Sequence, residues 1–509
     1  MRLSLGSWRL RIAWWTHVAV ATGFGLFGGL VAVLVGVVLV IDARTVTACE
    51  AASAAPPDFA APPFAYDPEA RAGAFVRAMA NDEFQAAYEM VASEQFGHDS
   101  ACVFDLEGFW RQVSRSSDAR LISVSQSDQA SFVAMYNRLD VPLRLIFRSA
   151  QEHRDVRITV RLLADGRVAG QEIDWVLTEA DTDRPTPTPA YAKPGTFEEM
   201  EVLVGQAPWE LKGTITIPVG TGPFPAVVTN GGESRDGIGP STKLARDRAW
   251  GLATLGVASL RFDRRTRTYA LAMARQEAFT VNHELVDDTL AAVEILRRTP
   301  RIDPGRIYVL GGSLAGFAAP MVGLRDSNIA GLIIVAAPSG MLHDLLWRGP
   351  QFHLSLDGEV TPYDRRVIRA SRNRTEAISA WVTSGKVPQD LSVHRSYYAH
   401  LGTYRPEDAA YRLLMPILVV SADWDRIVPP EDANTWFRSL RLRRNVAFRL
   451  YHGHGHAMID ERDRTGSSSL MNRHASWEVI SDIAGWIHGD WSDRSCMDLE
   501  AWYAGCRAG

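Results

Sequence analysis

The sequence predicts an α/β protein: a mostly parallel sheet with helices on both faces, preceded by a transmembrane helix and a small α+β domain. Three observations carry that prediction. From about residue 197 onward, short apolar segments rich in β-branched residues alternate with helical ones, as expected of strands buried on both faces. A Pro/Thr-rich stretch, Thr182 to Pro194, separates this half from a shorter region with a different pattern. Residues 12–41 contain no Asp, Glu, Lys or Arg, and about 20 apolar residues suffice to cross a bilayer.

Composition narrows the function classes. At 509 residues the chain exceeds what one core organises, so two folded units are expected. Its 54 Lys+Arg against 59 Asp+Glu leave a net charge of −5, which gives no general attraction to nucleic-acid phosphates. Only Lys193, Lys212, Lys243 and Lys386 are lysines, so arginine carries nearly all the positive charge. A hydrophobic content of 46% excludes wholesale disorder.

The elements are taken in chain order. Residues 1–11 hold Arg2, Arg9 and Arg11, while only Arg44 closely succeeds the apolar run, so the positive-inside rule keeps 1–11 in the cytoplasm and exports the chain beyond Ile41. The run 12–41 is too long for the apolar region of a cleaved signal, which spans about 7–15 residues, and reads as an uncleaved anchor. Trp14 and Trp15 stand where interfacial aromatics belong, and Gly25 and Gly29 form a weak helix-pairing signal. The expected localisation is therefore a single-pass membrane protein with its folded part on the non-cytoplasmic side.

Residues 42–68, rich in Ala and Pro, read as a tether. Residues 69–178 open with apolar positions at helical spacing (Phe75, Met79, Phe84, Tyr88, Val91). Strand-like 144–147 and 156–160 come next, with Asp165-Gly166 as a hairpin turn. This small domain carries no constellation of acids, histidines and nucleophiles and reads as a spacer or substrate-side cover. The linker is 179–196 and the large domain 197–492.

Within the large domain, strands are expected at 211–217, 226–229, 257–262, 306–310, 331–336, 417–421 and 446–450, and helices at 242–255 and 282–298. Residues 339–414, with many aromatics and arginines, form an insertion read as a helical lid. The tail 493–509 brackets a Trp/Tyr segment between Cys496 and Cys506, which fit a small disulfide loop; Cys49 and Cys102 make a second pair possible.

The chemistry concentrates in three places. A β-branched strand runs into Gly311-Gly312-Ser313-Leu314-Ala315-Gly316 and then into a helical segment. A serine on such a turn projects from the sheet edge, and small flanking residues keep the turn free of clashes. The bland alternative is a serine capping a helix. Further on, Asp423 and Asp425 come after a strand, and His452, His454 and His456 after the next one. The order Ser313, Asp425, His456 fits acyl transfer to Ser313, with His456 as base and then acid and Asp425 holding the imidazole.

On these residues the stretch from about Trp209 to Asp490 resembles the α/β-hydrolases, near the dienelactone-hydrolase and prolyl-oligopeptidase-like branches. The resemblance rests on Pro223–Gly232, Leu260–Arg265, Ile302–Ser313 and Asp425–Pro429. Related exported hydrolases carry a small α+β domain ahead of the catalytic one, which residues 69–178 resemble. The resemblance selects Asp425 over Asp423, because the family acid precedes an x-x-Val-Pro stretch, and selects His456 because it comes directly after Gly455. It implies an oxyanion hole formed by the amides of Gly232 and Leu314. The sequence departs from the family at Asn230, where His is common, at Ala315 and at Ala422; none of these removes a reacting group.

The expected activity is that of a membrane-anchored serine hydrolase cleaving a carboxylic ester, or a thioester or amide, of a small-molecule acyl substrate, with no cofactor and no metal. Two rivals remain. One is a binding or scaffold protein that keeps the fold without turnover. The other is a metallo-hydrolase using the alternating histidines with Asp460, which lacks the distant ligands such sites need. Asp263, Arg264 and Arg265, and Glu233, Arg235 and Asp236, read as substrate contacts or, more simply, as ion pairs fixing loops.

Overall fold

The computed structural model describes residues 64–92, 106–114, 120–126, 130–148, 153–178, 188–230, 240–355, 360, 362–385, 394–460 and 473–490. The expected anchor at 12–41, all four cysteines, Gly232, Glu233, Arg235 and Asp236 lie outside these residues. Among the described residues no helix is long and apolar enough to cross a membrane.

The small domain starts by Phe64, inside the stretch assigned to the tether. Phe64 is buried, its amide donates to the Ala164 carbonyl at 2.6 Å, and the Tyr66 hydroxyl donates to the Leu163 carbonyl at 2.5 Å. Asp67 then caps α1 (Pro68–Ala80) by accepting from the amides of Glu69 and Ala70. The helical pattern from Phe75 to Val91 is not one helix: it breaks after α1, Asp82 takes φ +60°, and α2 spans Phe84–Glu89. After α3 (Leu106–Ser114) come β1 (Arg120–Gln126), β2 (Ser131–Val133), β3 (Arg138–Arg148), β4 (His153–Leu163) and β5 (Val168–Thr178). They form an antiparallel sheet in the order β1-β3-β4-β5, with β2 paired to β3. The α1 side chains Phe75, Val76 and Met79 share one buried cluster with Leu139, Val141, Leu143, Val156, Ile158 and Val160 of that sheet.

The second half of the linker is docked. Tyr191 donates to the Ala475 carbonyl at 2.8 Å and stacks on Trp477 at 5.2 Å, so at least this part is tied to the large domain.

The large domain opens with β6 (Phe197–Val204), which the sequence did not single out, then β7 (Leu211–Pro218), β8 (Phe224–Asn230), α4 (Pro240–Thr254) and β9 (Ala258–Phe262). Two short helices, α5 (Arg265–Thr268) and α6 (Ala270–Arg275), precede a π-helical turn at Asn282–Val286 that continues into α7 (Asp287–Arg298). Next come β10 (Ile302–Gly312), α8 (Leu314–Arg325) and β11 (Gly331–Val335). The insertion supplies α9 (Leu342–Leu354), α10 (Pro362–Ser384), α11 (Arg395–Leu401) and α12 (Pro406–Tyr411). The chain closes with β12 (Ile417–Ala422), α13 (Pro430–Leu440), β13 (Val446–Tyr451) and α14 (Trp477–His488).

The eight strands run in the order β13-β12-β11-β10-β8-β9-β7-β6. All pairings are parallel except β6 with β7 and β7 with β9. Side chains alternate between two cores, as the two-residue period requires. Val227, Leu310, Ile333, Leu418 and Val420 pack with Leu252 of α4 and Ile480, Ile483 and Ile487 of α14. Their neighbours Val228, Val309, Ile334 and Val419 pack on the other face with Val293 of α7, Phe317 of α8 and Trp436 of α13. That second core continues into the small domain.

The small domain packs against α5, α6 and Phe279 as well as against the insertion. Phe132 of β2 sits edge-on to Phe279 at 5.7 Å and to His394 at 5.8 Å. Arg275 donates twice to the Phe64 carbonyl, at 2.7 and 3.0 Å, and the Tyr398 hydroxyl donates to the Met135 carbonyl at 2.9 Å.

Candidate active site

Four parallel neighbours, β10, β11, β12 and β13, end on one edge of the sheet. Ser313 comes after β10, Asp425 after β12 and His456 after β13, so three residues more than a hundred positions apart at the extremes emerge on the same side. This is why a sheet of this winding gathers chemistry at its carboxyl edge.

At Ser313 the chain turns from strand to helix in a single residue. Its φ of +54° and ψ of −122° lie in a region that side chains normally avoid, so the turn is strained. Its amide is spent on the Val335 carbonyl at 2.8 Å, and its carbonyl accepts from Phe317 at 3.0 Å as the first bond of α8. Two glycines make the turn possible. A Cβ on Gly311 would lie 2.4 Å from the Ala315 carbonyl oxygen, and one on Gly316 would lie 2.8 Å from the Ala337 Cβ. The Ser313 hydroxyl is buried and has no hydrogen-bond partner among the described residues. Leu314 opens α8, so its amide is one of the first-turn donors that a helix leaves without an internal acceptor.

The acid and the base meet. His456 Nδ1 lies 2.8 Å from Asp425 Oδ2. Asp425 is fixed in turn, since its Oδ1 accepts from the amides of Ile427 at 2.8 Å and Val428 at 2.9 Å. A carboxylate only accepts, so Nδ1 is the donor in this bond, and in a neutral imidazole Nε2 is then the nitrogen with the free lone pair. The structure therefore brings Asp425 and His456 together and sets Ser313 on the same edge, with its hydroxyl not hydrogen-bonded to the imidazole.

The other two histidines do not converge with His456 on a common point. His452 Nδ1 lies 2.9 Å from Asp423 Oδ2, whose Oδ1 accepts from the Gly453 amide at 2.6 Å. His454 is buried between the Ser476 hydroxyl at 3.0 Å and the His452 carbonyl at 3.2 Å. This second aspartate–histidine pair escaped the sequence reading, which had only the alternation of histidines to go on.

Buried polar networks hold the surroundings. Arg265 bridges to Asp288 at 2.5 Å, so this arginine beside Asp263 fixes a loop. The insertion begins at Ser339, whose amide and hydroxyl both donate to buried Asp432, at 2.5 and 2.9 Å, with the Arg348 guanidinium on the same carboxylate at 3.2 Å. Tyr397 of α11 donates to Glu284 at 2.6 Å, where burial pushes the Glu284 carboxyl above its usual range. On α4, fully buried Lys243 reaches Asp247 one turn on, the Arg473 carbonyl at 2.7 Å and His474 Nδ1 at 2.7 Å. Burial lowers the Lys243 ammonium while Asp247 pulls it back up. The Lys243 contacts tie the start of α4, just after 231–239, to residues 473–474, just after 461–472. No periodicity announces them.

Residues 247–463 match the family described as serine aminopeptidase, S33. The chain is 28% identical over 422 residues to Esterase EstD of Thermotoga maritima, covering 81% of this chain and 93% of that protein. Among solved structures it overlaps the hyperthermophilic esterase of Pyrobaculum calidifontis at a TM-score of 0.39 and 14% identity, over 58% of this chain and 85% of that one. It overlaps Est1E of Butyrivibrio proteoclasticus at a TM-score of 0.36 and 15% identity, over 57% and 99% of the respective chains.

Proposed function

We propose that this chain, an α/β-hydrolase of the serine-hydrolase class, cleaves carboxylic esters of small acyl substrates through Ser313, His456 and Asp425. The observation that carries the reading is the Asp425–His456 pair at 2.8 Å on the sheet edge where Ser313 occupies its strained turn. The relative named Esterase EstD favours an ester over a thioester or amide.

In this reading His456 Nε2 takes the Ser313 proton as Oγ attacks the carbonyl carbon. Asp425 holds the imidazole and stabilises the imidazolium that forms. The tetrahedral oxyanion is received by the Leu314 amide at the start of α8 and, as the family resemblance implies, by the amide of Gly232, which lies outside the described residues. Collapse expels the alcohol, which takes its proton from His456, and leaves an acyl ester on Ser313. Water, activated by the same imidazole, then releases the acid. The free Ser313 hydroxyl suits a resting enzyme, since such hydrogen bonds often tighten only once substrate is bound.

The same proposal places the large domain on the non-cytoplasmic side of a membrane, held by the apolar run 12–41 and the arginines before it. Alkaline extraction and protease protection of the full chain test that part.

For the chemistry, p-nitrophenyl esters of varied chain length and a fluorophosphonate probe are given to wild type and to Ser313→Ala. The expected result is covalent labelling at Ser313 and a fall in kcat of about 10³-fold or more in the variant. Folded wild type that neither labels nor turns over points to a scaffold. Activity that survives Ser313→Ala but is lost to a chelator points to a metallo-hydrolase.

A further inference from the structure

Leu414 and Leu442 are 89% and 83% exposed, the two most exposed large apolar side chains among the described residues. They stand on neighbouring loops, those entering β12 and β13, because Ile417 of β12 pairs with Val446 of β13. This is the edge of the sheet opposite to the one where Ser313, Asp425 and His456 emerge. Tyr411, 53% exposed, belongs to the same surface.

The leucines are held outward. The Arg443 guanidinium donates to the carbonyls of Tyr411 and Leu413, the latter at 2.7 Å, and lies 5.0 Å from the centre of the Tyr411 ring. The Asn445 amide donates to the carbonyls of Leu414 at 3.2 Å and Met415 at 2.7 Å. The two loops are thus laced by their own side chains, and Leu413 and Met415 take the inward positions. A loose loop would fold such leucines back onto the protein; this one is braced against doing so.

Charge singles out the occupant. Residues 409–416 and 438–446 contain Arg412, Arg438, Arg441, Arg443 and Arg444 and no acidic residue, and Glu407 and Asp408 just before them both pair with Arg405, in a chain whose net charge is −5. Outward leucines among arginines suit an interface whose headgroups are anionic and whose interior is apolar. A second copy of the chain would set arginine against arginine across a two-fold axis, which like-charge repulsion disfavours.

We propose that this edge docks on an anionic phospholipid surface, with Leu414 and Leu442 entering the headgroup–acyl boundary and the arginines meeting phosphates. The site edge then faces away from the bilayer, open to substrate. The proposal goes beyond the hydrolytic reading and does not depend on Ser313.

The test uses the full chain reconstituted in phosphatidylcholine vesicles with and without phosphatidylglycerol, with hydrogen exchange read by mass spectrometry. Peptides covering 409–416 and 438–446 should exchange at least about threefold more slowly with phosphatidylglycerol, and the protection should fade at high salt. It should also vanish in Leu414→Ser/Leu442→Ser and weaken in Arg441→Gln/Arg444→Gln, with exchange elsewhere in the large domain unchanged as the control for folding. Equal exchange in both vesicle types overturns the proposal, as does protection that tracks protein density rather than lipid charge, the signature of a second copy. Alkaline extraction reports separately on the N-terminal anchor. A chain released by it is tested for docking by vesicle flotation, where failure to float with phosphatidylglycerol counts against the proposal.

Discussion

The loops that leave β12 and β13 carry two aspartate–histidine pairs of the same chemistry, and they differ almost only in surroundings. In both, an imidazole Nδ1 faces a carboxylate, at 2.8 Å for His456 on Asp425 and 2.9 Å for His452 on Asp423. In both, the other carboxylate oxygen accepts from backbone amides. The first pair is buried, at 6% and 14% side-chain exposure, whereas His452 is 55% exposed. Burial turns equal geometry into unequal consequence. An exposed ion pair is worth about 0–1 kcal/mol, because water replaces either partner. Where water is excluded, nothing replaces a lost hydrogen bond, and a partner left unsatisfied costs about 1–3 kcal/mol. The buried pair is fit to hold a tautomer through a reaction, and the exposed pair is fit to brace a loop.

The sharpest break of this comparison is Asp425→Asn. The amide oxygen still accepts from Ile427 and Val428, so the loop keeps its shape. The amide nitrogen then faces His456 Nδ1 and donates to it, which moves the imidazole proton to Nε2, the atom that must stay bare to act as base. The expected result is a fall in kcat of about 10³- to 10⁴-fold with little change in thermal stability. It is read by steady-state ester hydrolysis beside a melting curve. If Asp423→Asn costs as much, the two pairs are not distinguished by burial.

Much of this layout is legible in the chain. Apolar runs such as 331–336 and 417–421 are short, β-branched and bounded by turns, because strands covered on both faces have no polar side to interrupt them. The serine turn is legible because its glycines answer to local contacts only, a carbonyl and a neighbouring Cβ within a few residues or one strand. Which aspartate meets which histidine is a different matter. Asp423 and Asp425 are two residues apart, as are His452, His454 and His456, so spacing alone permits several pairings, and only the family resemblance separated the acids. The seam between the domains leaves no trace at all in periodicity. Phe64, Phe132, Phe279 and His394 come from four distant stretches, and their contact depends on the finished fold.

Two smaller perturbations test whether the exposed pair braces the histidine loop. Asp423 is bonded through its amide to the Tyr451 carbonyl at 3.2 Å, through Oδ1 to Gly453 and through Oδ2 to His452. Asp423→Ala removes both side-chain bonds and frees a segment with glycines at 453 and 455, three residues before the base. Displacing a catalytic group by a fraction of an ångström costs up to about 100-fold. About tenfold is expected here, since the Tyr451 and His454 backbone bonds to residues 423 and 424 remain. The loss should fall on kcat, with KM nearly constant, because substrate binding is not involved. His452→Ala comes last in size. It removes the exposed imidazole but leaves the Gly453 amide on Asp423, so kcat should drop no more than about threefold, within the range of exposed pairs. A large loss in His452→Ala with a small one in Asp423→Ala would reverse the assignment: His452 would then act on substrate through its own Nε2, and the brace would have to be sought elsewhere in the loop.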